Sequence, residues 1–263
     1  MPGTYRERPS RLDGAVLWRR EADPAPASGP APGAAAYPVL PDGCMDLILI
    51  DGRLIVAGPD TRAHAASDSP GGRYTGIRFA PGTGAAFLGV PAHTLRDRRV
   101  PLDAVWARGD ARQAGDRIAG AADPAGALEE FALRRAAGAG PPDPVMRAVA
   151  AALEAGATVG AAAEAVGLGT RQLHRRSLDA FGYGPKTLAR VLRLRRALGL
   201  VREGTPFAEA AHRSGCADQA HLARETRELA GMTLRAYAAL AARQARSSAK
   251  SETPSPSGSS TTA

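Results

Sequence analysis

Apolar and polar positions fall into short strand-like runs over the first third of this chain and then shift to a helical spacing. The runs at 14–19 (GAVLWR), 45–51 (MDLILID), 53–57 (RLIVA) and 73–79 (RYTGIRF) are bounded by Gly, Pro or Asp, which predicts four strands. Asp51-Gly52 separates two of them, and glycine accepts the positive φ that a tight hairpin needs. Gly58-Pro59-Asp60 stops the strand that follows. Beyond Pro81-Gly82 the spacing predicts helices over 83–88, 92–97, 110–119 and 124–136. From Val145 onward the patterning is helical throughout. The expected fold is an α+β N-terminal domain, a small antiparallel sheet with helices, followed by an all-α domain.

Pro141-Pro142-Asp143-Pro144 marks the expected boundary, because proline cannot continue a preceding helix. It divides the chain into a domain at 1–140, a domain at 141–246 and a tail at 247–263. Residues 22–35 (ADPAPASGPAPGAA) and the Ser/Thr/Pro tail carry few large apolar groups. Both are expected to be flexible, since they bury too little to offset the entropy of ordering.

Within the second domain the same pattern occurs twice. A small, alanine-rich helix at 159–166 leads through Gly167-Leu168-Gly169 into a polar helix starting at Thr170. Gly167 suits the left-handed residue that ends the first helix, and Thr170 is expected to cap the second. Leu173 and Leu178 would face inward, leaving Arg171, Gln172, His174 and Arg175 projecting near the helix start. The second copy packs Phe207, Ala210 and Ala211, turns at Gly215-Cys216-Ala217, and is capped by Asp218. There Leu222 and Leu229 would be core, with Gln219, Ala220, Ala223 and Arg224 outward and His221 a packing or phosphate-side residue. Arg and Gln are the side chains that pair bidentately with guanine and adenine edges in the major groove. A helix at 185–202 joins the copies, with Leu188, Val191, Leu192, Leu198 and Val201 as its core stripe. Arg190, Arg193 and Arg196 recur on another face, either as solvated charge or as contacts to DNA phosphates.

Charge supports a polyanionic partner for this half. Residues 1–140 carry 17 Lys+Arg against 16 Asp+Glu, whereas residues 141–246 carry 16 against 9. Two cysteines, Cys44 and Cys216, form neither a disulfide framework nor a zinc set, and five scattered histidines show no metal-ligand spacing. No metal and no cofactor is expected. No run of roughly 18 apolar residues occurs, and the first eleven residues are polar, so neither a membrane span nor a signal peptide is expected. The expectation is a cytoplasmic, nucleoid-associated protein.

The segments LGTRQLHRRSLDAFGYGPK, RVLRLRRAL and GCADQAHLARETRELAGMT occur in order over about 80 residues, and with them the chain resembles the AraC-type transcriptional regulators. The resemblance implies two helix-turn-helix units entering successive major grooves, about one turn or roughly 34 Å apart. It assigns the base-facing positions to Arg171, Gln172, His174 and Arg175, then to Gln219, Ala220, Ala223 and Arg224. The chain departs from that pattern at four places. Ser177 and Thr226 stand where a core Phe is usual, Cys216 replaces an aromatic, and Leu234 replaces a common Pro. Two missing rings weaken packing unless neighbours fill the space.

The N-terminal stretches VLPDGCMDLILIDGRLIVAGPDT and GIRFAPGTGAAFLGVPAHTLRD look like an uncharacterised domain often fused to AraC-type DNA-binding domains. Their Pro, Asp and Gly clusters read as turn chemistry, and a sharper reading places a small-molecule effector pocket at Asp46, Arg78 and His93. The expected function is a sequence-specific transcription factor on double-stranded DNA, controlled by an effector or by homodimerisation, and meeting RNA polymerase if it activates. The alternatives are a non-specific architectural DNA binder, or an enzyme fused to a DNA-binding domain. For the enzyme, a Cys44/His64/Asp46 nucleophile set is compatible with composition, but nothing in the sequence joins its members. No catalytic activity is expected.

Overall fold

The computed structural model describes residues 5–22, 38–65 and 71–251. Apart from Ala22, the expected flexible stretch at 22–35 lies outside the described residues, as does the tail beyond Ser251.

The N-terminal half is a six-stranded antiparallel sheet covered by helices, as the α+β expectation requires. Its strands are β1 (Tyr5–Pro9), β2 (Ala15–Glu21), β3 (Met45–Ile50), β4 (Arg53–Ala57), β5 (Arg73–Phe79) and β6 (Arg99–Pro101), in the order β1-β2-β5-β3-β4-β6. The hairpin between β3 and β4 turns at Asp51 and Gly52, with φ of 48° and 75°, and pairs Ile50 with Arg53. Strands β2 to β5 answer the four predicted runs to within two residues. The sequence reading missed β1 and β6. All five residues of β1 are exposed, so YRERP shows no alternation, and β6 has only three residues.

Helix α1 (Gly84–Leu88) lies between β5 and β6, and α2 (Arg108–Ala119) and α3 (Pro124–Gly138) follow β6. The helix expected at 92–97 is a 3-10 turn over Ala92–Leu95 instead, entered from Pro91. Leu17, Leu47, Val56, Ile77 and Phe79 line one sheet face and pack with Ile118 of α2 and Leu128 and Ala132 of α3. Each such large side chain, fully buried, stabilises the fold by about 1.5–3 kcal/mol.

The C-terminal half is all helical: α4 (Pro144–Glu154), α5 (Val159–Ala165), α6 (Thr170–Phe181), α7 (Pro185–Arg202), α8 (Phe207–Ser214), α9 (Gln219–Ala230) and α10 (Leu234–Ser251). Thus α10 runs five residues into the expected tail. Two cores form here, and α7 serves both. Leu188 and Leu192 near its start join Met146, Leu153, Leu173 and Phe181 around α4–α6. Leu194, Leu198 and Val201 further on join Ala210, Leu222, Leu229 and Tyr237 around α8–α10. A helix of 18 residues spans about 27 Å, so α7 acts as a rigid spacer between the two units.

The sheet domain touches both units. A Cβ at Gly182, just after α6, would lie 2.5 Å from the ring of Pro59, and Arg147 of α4 reaches Asp13 at 2.8 Å. Arg195 of α7 donates to the carbonyl of Asp42 at 3.2 Å, and the Ala63 N–H donates to the carbonyl of Leu229 on α9 at 2.7 Å.

Candidate nucleic-acid interface

Each unit begins with a short helix whose end is shaped by local chemistry. Thr158 caps α5, its hydroxyl accepting from the Ala161 N–H at 3.1 Å. At the other end Gly167, with φ of 65°, donates to the carbonyl of Glu164 while Leu168 donates to that of Ala163. This turns the chain sharply into α6. Contrary to expectation, Thr170 does not cap α6: the cap position is Gly169, which offers no side chain, and Thr170 is the first helical residue. In the second unit the expectation holds, with Asp218 accepting from the His221 N–H at 2.6 Å. His221 Nδ1 accepts in turn from the Ala217 N–H at 3.2 Å, a local packing role.

Arg171, Gln172, His174 and Arg175 are all exposed on the first turns of α6, and Gln219, Ala220, Ala223 and Arg224 are all exposed at the start of α9. Within the eight, no side chain makes a hydrogen bond or ion pair among the described residues, so their polar groups are free to meet a ligand. Behind them Leu173, Leu222 and Leu229 are buried, while Leu178 is half-buried. The α6 face is also shaped, since Thr170, Arg171, Gln172, His174, Arg175 and Leu178 line one shallow concavity.

The orientation of α6 is set by Asp143. One carboxylate oxygen caps α4 through the Val145 N–H at 3.0 Å, and the other accepts from Arg176 at 2.5 Å. Desolvation opposes ionisation there, but Arg176 and the two backbone N–H groups outweigh it and hold the carboxyl below its ordinary pKa.

The arginines of α7, read from the sequence either as solvated charge or as phosphate contacts, all make contacts within the protein. Arg190 donates to Glu225 at 3.0 Å and also pairs with Glu228, both on α9. Arg193 is mostly buried and lies 3.5 Å from Glu225. Arg196 donates to the carbonyls of Leu153 and Glu154 at the end of α4 and to Ser214 at the end of α8. Burial, then the charge of Arg193, depress its pKa. All three tie helices together in the DNA-free chain.

The four departures sit where the resemblance places them. Ser177 and Thr226 are fully buried, and Cys216 and Leu234 are buried too. The Thr226 hydroxyl donates to the carbonyl of Leu222 at 2.8 Å, whereas the Ser177 hydroxyl has no partner among the described residues.

Of the three residues read as an effector pocket, the structure joins two. Asp46 and Arg78 are paired across β3 and β5, 3.3 Å apart at their charged atoms, and Trp18 Nε1 donates to Asp46 at 2.7 Å. Burial pushes the Asp46 carboxyl up. Arg78 is held more strongly protonated than usual: burial opposes its charge, but Asp46 and Asp42 outweigh it. His93 is elsewhere, 3.4 Å from Asp179 on α6. The Cys44/His64/Asp46 set is not assembled either. Burial raises the Cys44 thiol well above its ordinary pKa, the opposite of an activated thiolate, and His64 faces Asp60 and Asp97. The cluster Asp60–His64–Asp97 was not anticipated, because its third member is distant in sequence.

No described helix is long and apolar enough to cross a membrane. Residues 162–239 match a family described as a helix-turn-helix domain, and residues 16–101 match a domain of unknown function, DUF6597. No curated protein matches the chain. Among solved structures, a probable AraC family transcriptional regulator from Rhodopseudomonas palustris CGA009 is 24% identical, with a TM-score of 0.34. That likeness covers 38% of this chain and 98% of the other. ToxT from Vibrio cholerae O395 is 8% identical with a TM-score of 0.45, covering 86% of this chain and 96% of its own. Unsaturated fatty acid bound wild-type ToxT from Vibrio cholerae strain SCE256 is 9% identical with a TM-score of 0.44, covering 88% and 96%. Likenesses this remote carry no argument about ligands. The chain thus joins an N-terminal domain of unknown function to a C-terminal helix-turn-helix domain.

Proposed function

We propose that the chain binds a specific duplex sequence by placing α6 and α9 in two successive major grooves. The observation that carries this reading is the paired set of eight exposed, unpartnered residues at the starts of the two helices, mounted on the spacer α7. Arg171, Gln172, His174 and Arg175 read one half-site, and Gln219, Ala220, Ala223 and Arg224 read the other. The first face is richer in hydrogen-bonding groups, so it contributes more of the discrimination. With Arg190, Arg193 and Arg196 engaged within the domain, phosphate contacts fall to exposed cations such as Lys186 at the start of α7 and Arg227 on α9. We assign DNA binding to residues 141–246 and control to residues 1–140, acting through an effector or through homodimerisation, with 247–263 as a tail.

In vitro selection of random duplexes with the full chain tests this. The expected product is a site of about 20 bp with two half-sites one helical turn apart, and log affinity that falls steeply with log salt. Equal affinity for the selected and random duplexes at about 150 mM salt would overturn it.

A further inference from the structure

The strongest unassigned chemistry in the molecule is the Asp60–His64–Asp97 cluster, in segments of the N-terminal domain that contact the end of α6 and α9. We propose that these three residues form a binding site for one divalent first-row cation, such as Zn²⁺ or Mn²⁺. The site is independent of how the chain reads DNA.

The donor set and its dimensions support this. His64 Nε2 lies 3.0 Å from Asp60 Oδ1 and 4.0 Å from Asp97 Oδ1, and one ligand atom from each residue lies within 4.8 Å of the others. Imidazole nitrogen and carboxylate oxygen bind such ions at about 2.0–2.2 Å. Two donors at that range are about 3 Å apart when at right angles around an ion and about 4.2 Å apart when opposite. The observed separations therefore fit a common centre with only small side-chain adjustment.

His64 Nε2 adds an independent observation. It is shielded from solvent, yet its approach to Asp60 lacks hydrogen-bond geometry and it has no hydrogen-bond partner among the described residues. A buried nitrogen aimed between two carboxylates without a bond is costly on its own and is satisfied by a cation. The supporting contacts are in place. The Thr61 N–H and hydroxyl donate to Asp97 at 2.7 and 2.9 Å, and Arg99 forks onto both oxygens of Asp60 at 2.5 Å. Contacts of this kind orient first ligands. Arg99 is the one arginine paired with the cluster among the described residues, and it pairs with Asp60 and not with Asp97. Asp60 Oδ1 accepts from Arg99 along one lone pair and retains a second.

The site's position gives it reach. The Asp97 N–H donates to the carbonyl of Pro59, whose ring abuts Gly182 at the end of α6. Ala63, next to His64, donates to Leu229 on α9. An ion here would grip the segment that touches both reading helices.

Equilibrium dialysis of the untagged full chain against Zn²⁺ and against Mn²⁺ tests the proposal. One bound ion per chain is expected for at least one of them, with affinity at least tenfold lower in His64→Gln and in Asp97→Asn. His93→Gln, which alters the histidine beside Asp179, is the control and should bind as the unmodified chain does. Should His64→Gln fail to fold, Asp97→Asn decides alone, since its amide oxygen still accepts from Thr61. Co²⁺ supplies a second readout, visible absorption on binding that Asp97→Asn removes. Failure of the unmodified chain to take up either ion at stoichiometric level, or variants that bind as well as it does, would overturn the proposal.

Discussion

Arg190 on α7 donates from Nε to Glu225 Oε1 on α9 at 3.0 Å, which ties the linker helix to the second exposed helix. Arg190→Ala should therefore destabilise the C-terminal domain by about 1–2 kcal/mol, the scale of a charge-assisted hydrogen bond. It should leave the slope of log affinity against log salt unchanged. A residue that neutralises one phosphate changes that slope by about 0.9 on removal. Urea unfolding and a salt titration separate the two roles, and a slope change near that size would return Arg190 to the phosphates.

Arg175 is exposed on α6 and has no partner among the described residues, so its loss should act on recognition and not on folding. Arg175→Ala is expected to relax preference at one base pair by about 1–3 kcal/mol while leaving the half-site read by α9 intact. Binding to a panel of single-base variants of the selected site checks this. Uniform weakening across the panel would make Arg175 a backbone contact.

The sequence revealed elements more readily than partners. Helix α7 is legible to the residue, because Pro185 starts it and its leucines recur at helical spacing through Val201. The exposed faces of α6 and α9 are legible for the same reason: Leu173, Leu222 and Leu229 fix which sides are buried. Periodicity cannot say what an outward arginine meets. Arg190, Arg193 and Arg196 share a stripe in sequence, but their partners Glu225, Leu153 and Ser214 come from three other helices. Strand β1 was invisible since a fully exposed edge strand has no apolar face to alternate. The effector reading joined Asp46 to His93 on residue type alone, and His93 faces α6 instead.

Ser177 is fully buried with its hydroxyl unpartnered among the described residues, at a position where the resemblance expects a large ring. A buried hydroxyl without a hydrogen bond costs about 1–3 kcal/mol, and removing it relieves that cost. Ser177→Ala should raise the stability of the helix-turn-helix domain by about 1 kcal/mol with DNA affinity unchanged. Thr226→Ala is the contrast, because its hydroxyl donates to Leu222, and removal of that hydroxyl should not stabilise. Thermal unfolding of both variants checks the pair. A fall in Tm for Ser177→Ala would mean the hydroxyl is satisfied in solution.

Glu129 on α3 anchors the N-terminal segment, accepting from Arg8 at 3.0 and 2.9 Å, from the Ser10 hydroxyl at 2.8 Å, and from the Arg11 N–H at 2.9 Å. The Arg8 bonds, then the Arg11 N–H and the Ser10 hydroxyl, outweigh burial and hold this carboxyl well below the ordinary range of about 4.3. A depressed folded-state pKa means that the unfolded chain binds the proton first as pH falls. The stabilisation is therefore complete above the unfolded value and drains away below about pH 4.3. Glu129→Gln should cost about 2–3 kcal/mol at pH 7, through lost charge-assisted bonds, and should flatten the decline in stability below pH 4.5. Both tryptophans, Trp18 and Trp106, lie in this domain, so fluorescence during urea unfolding at a series of pH values reports it directly. An acid decline as steep in the variant as in the unmodified chain would place the acid sensitivity on other carboxylates.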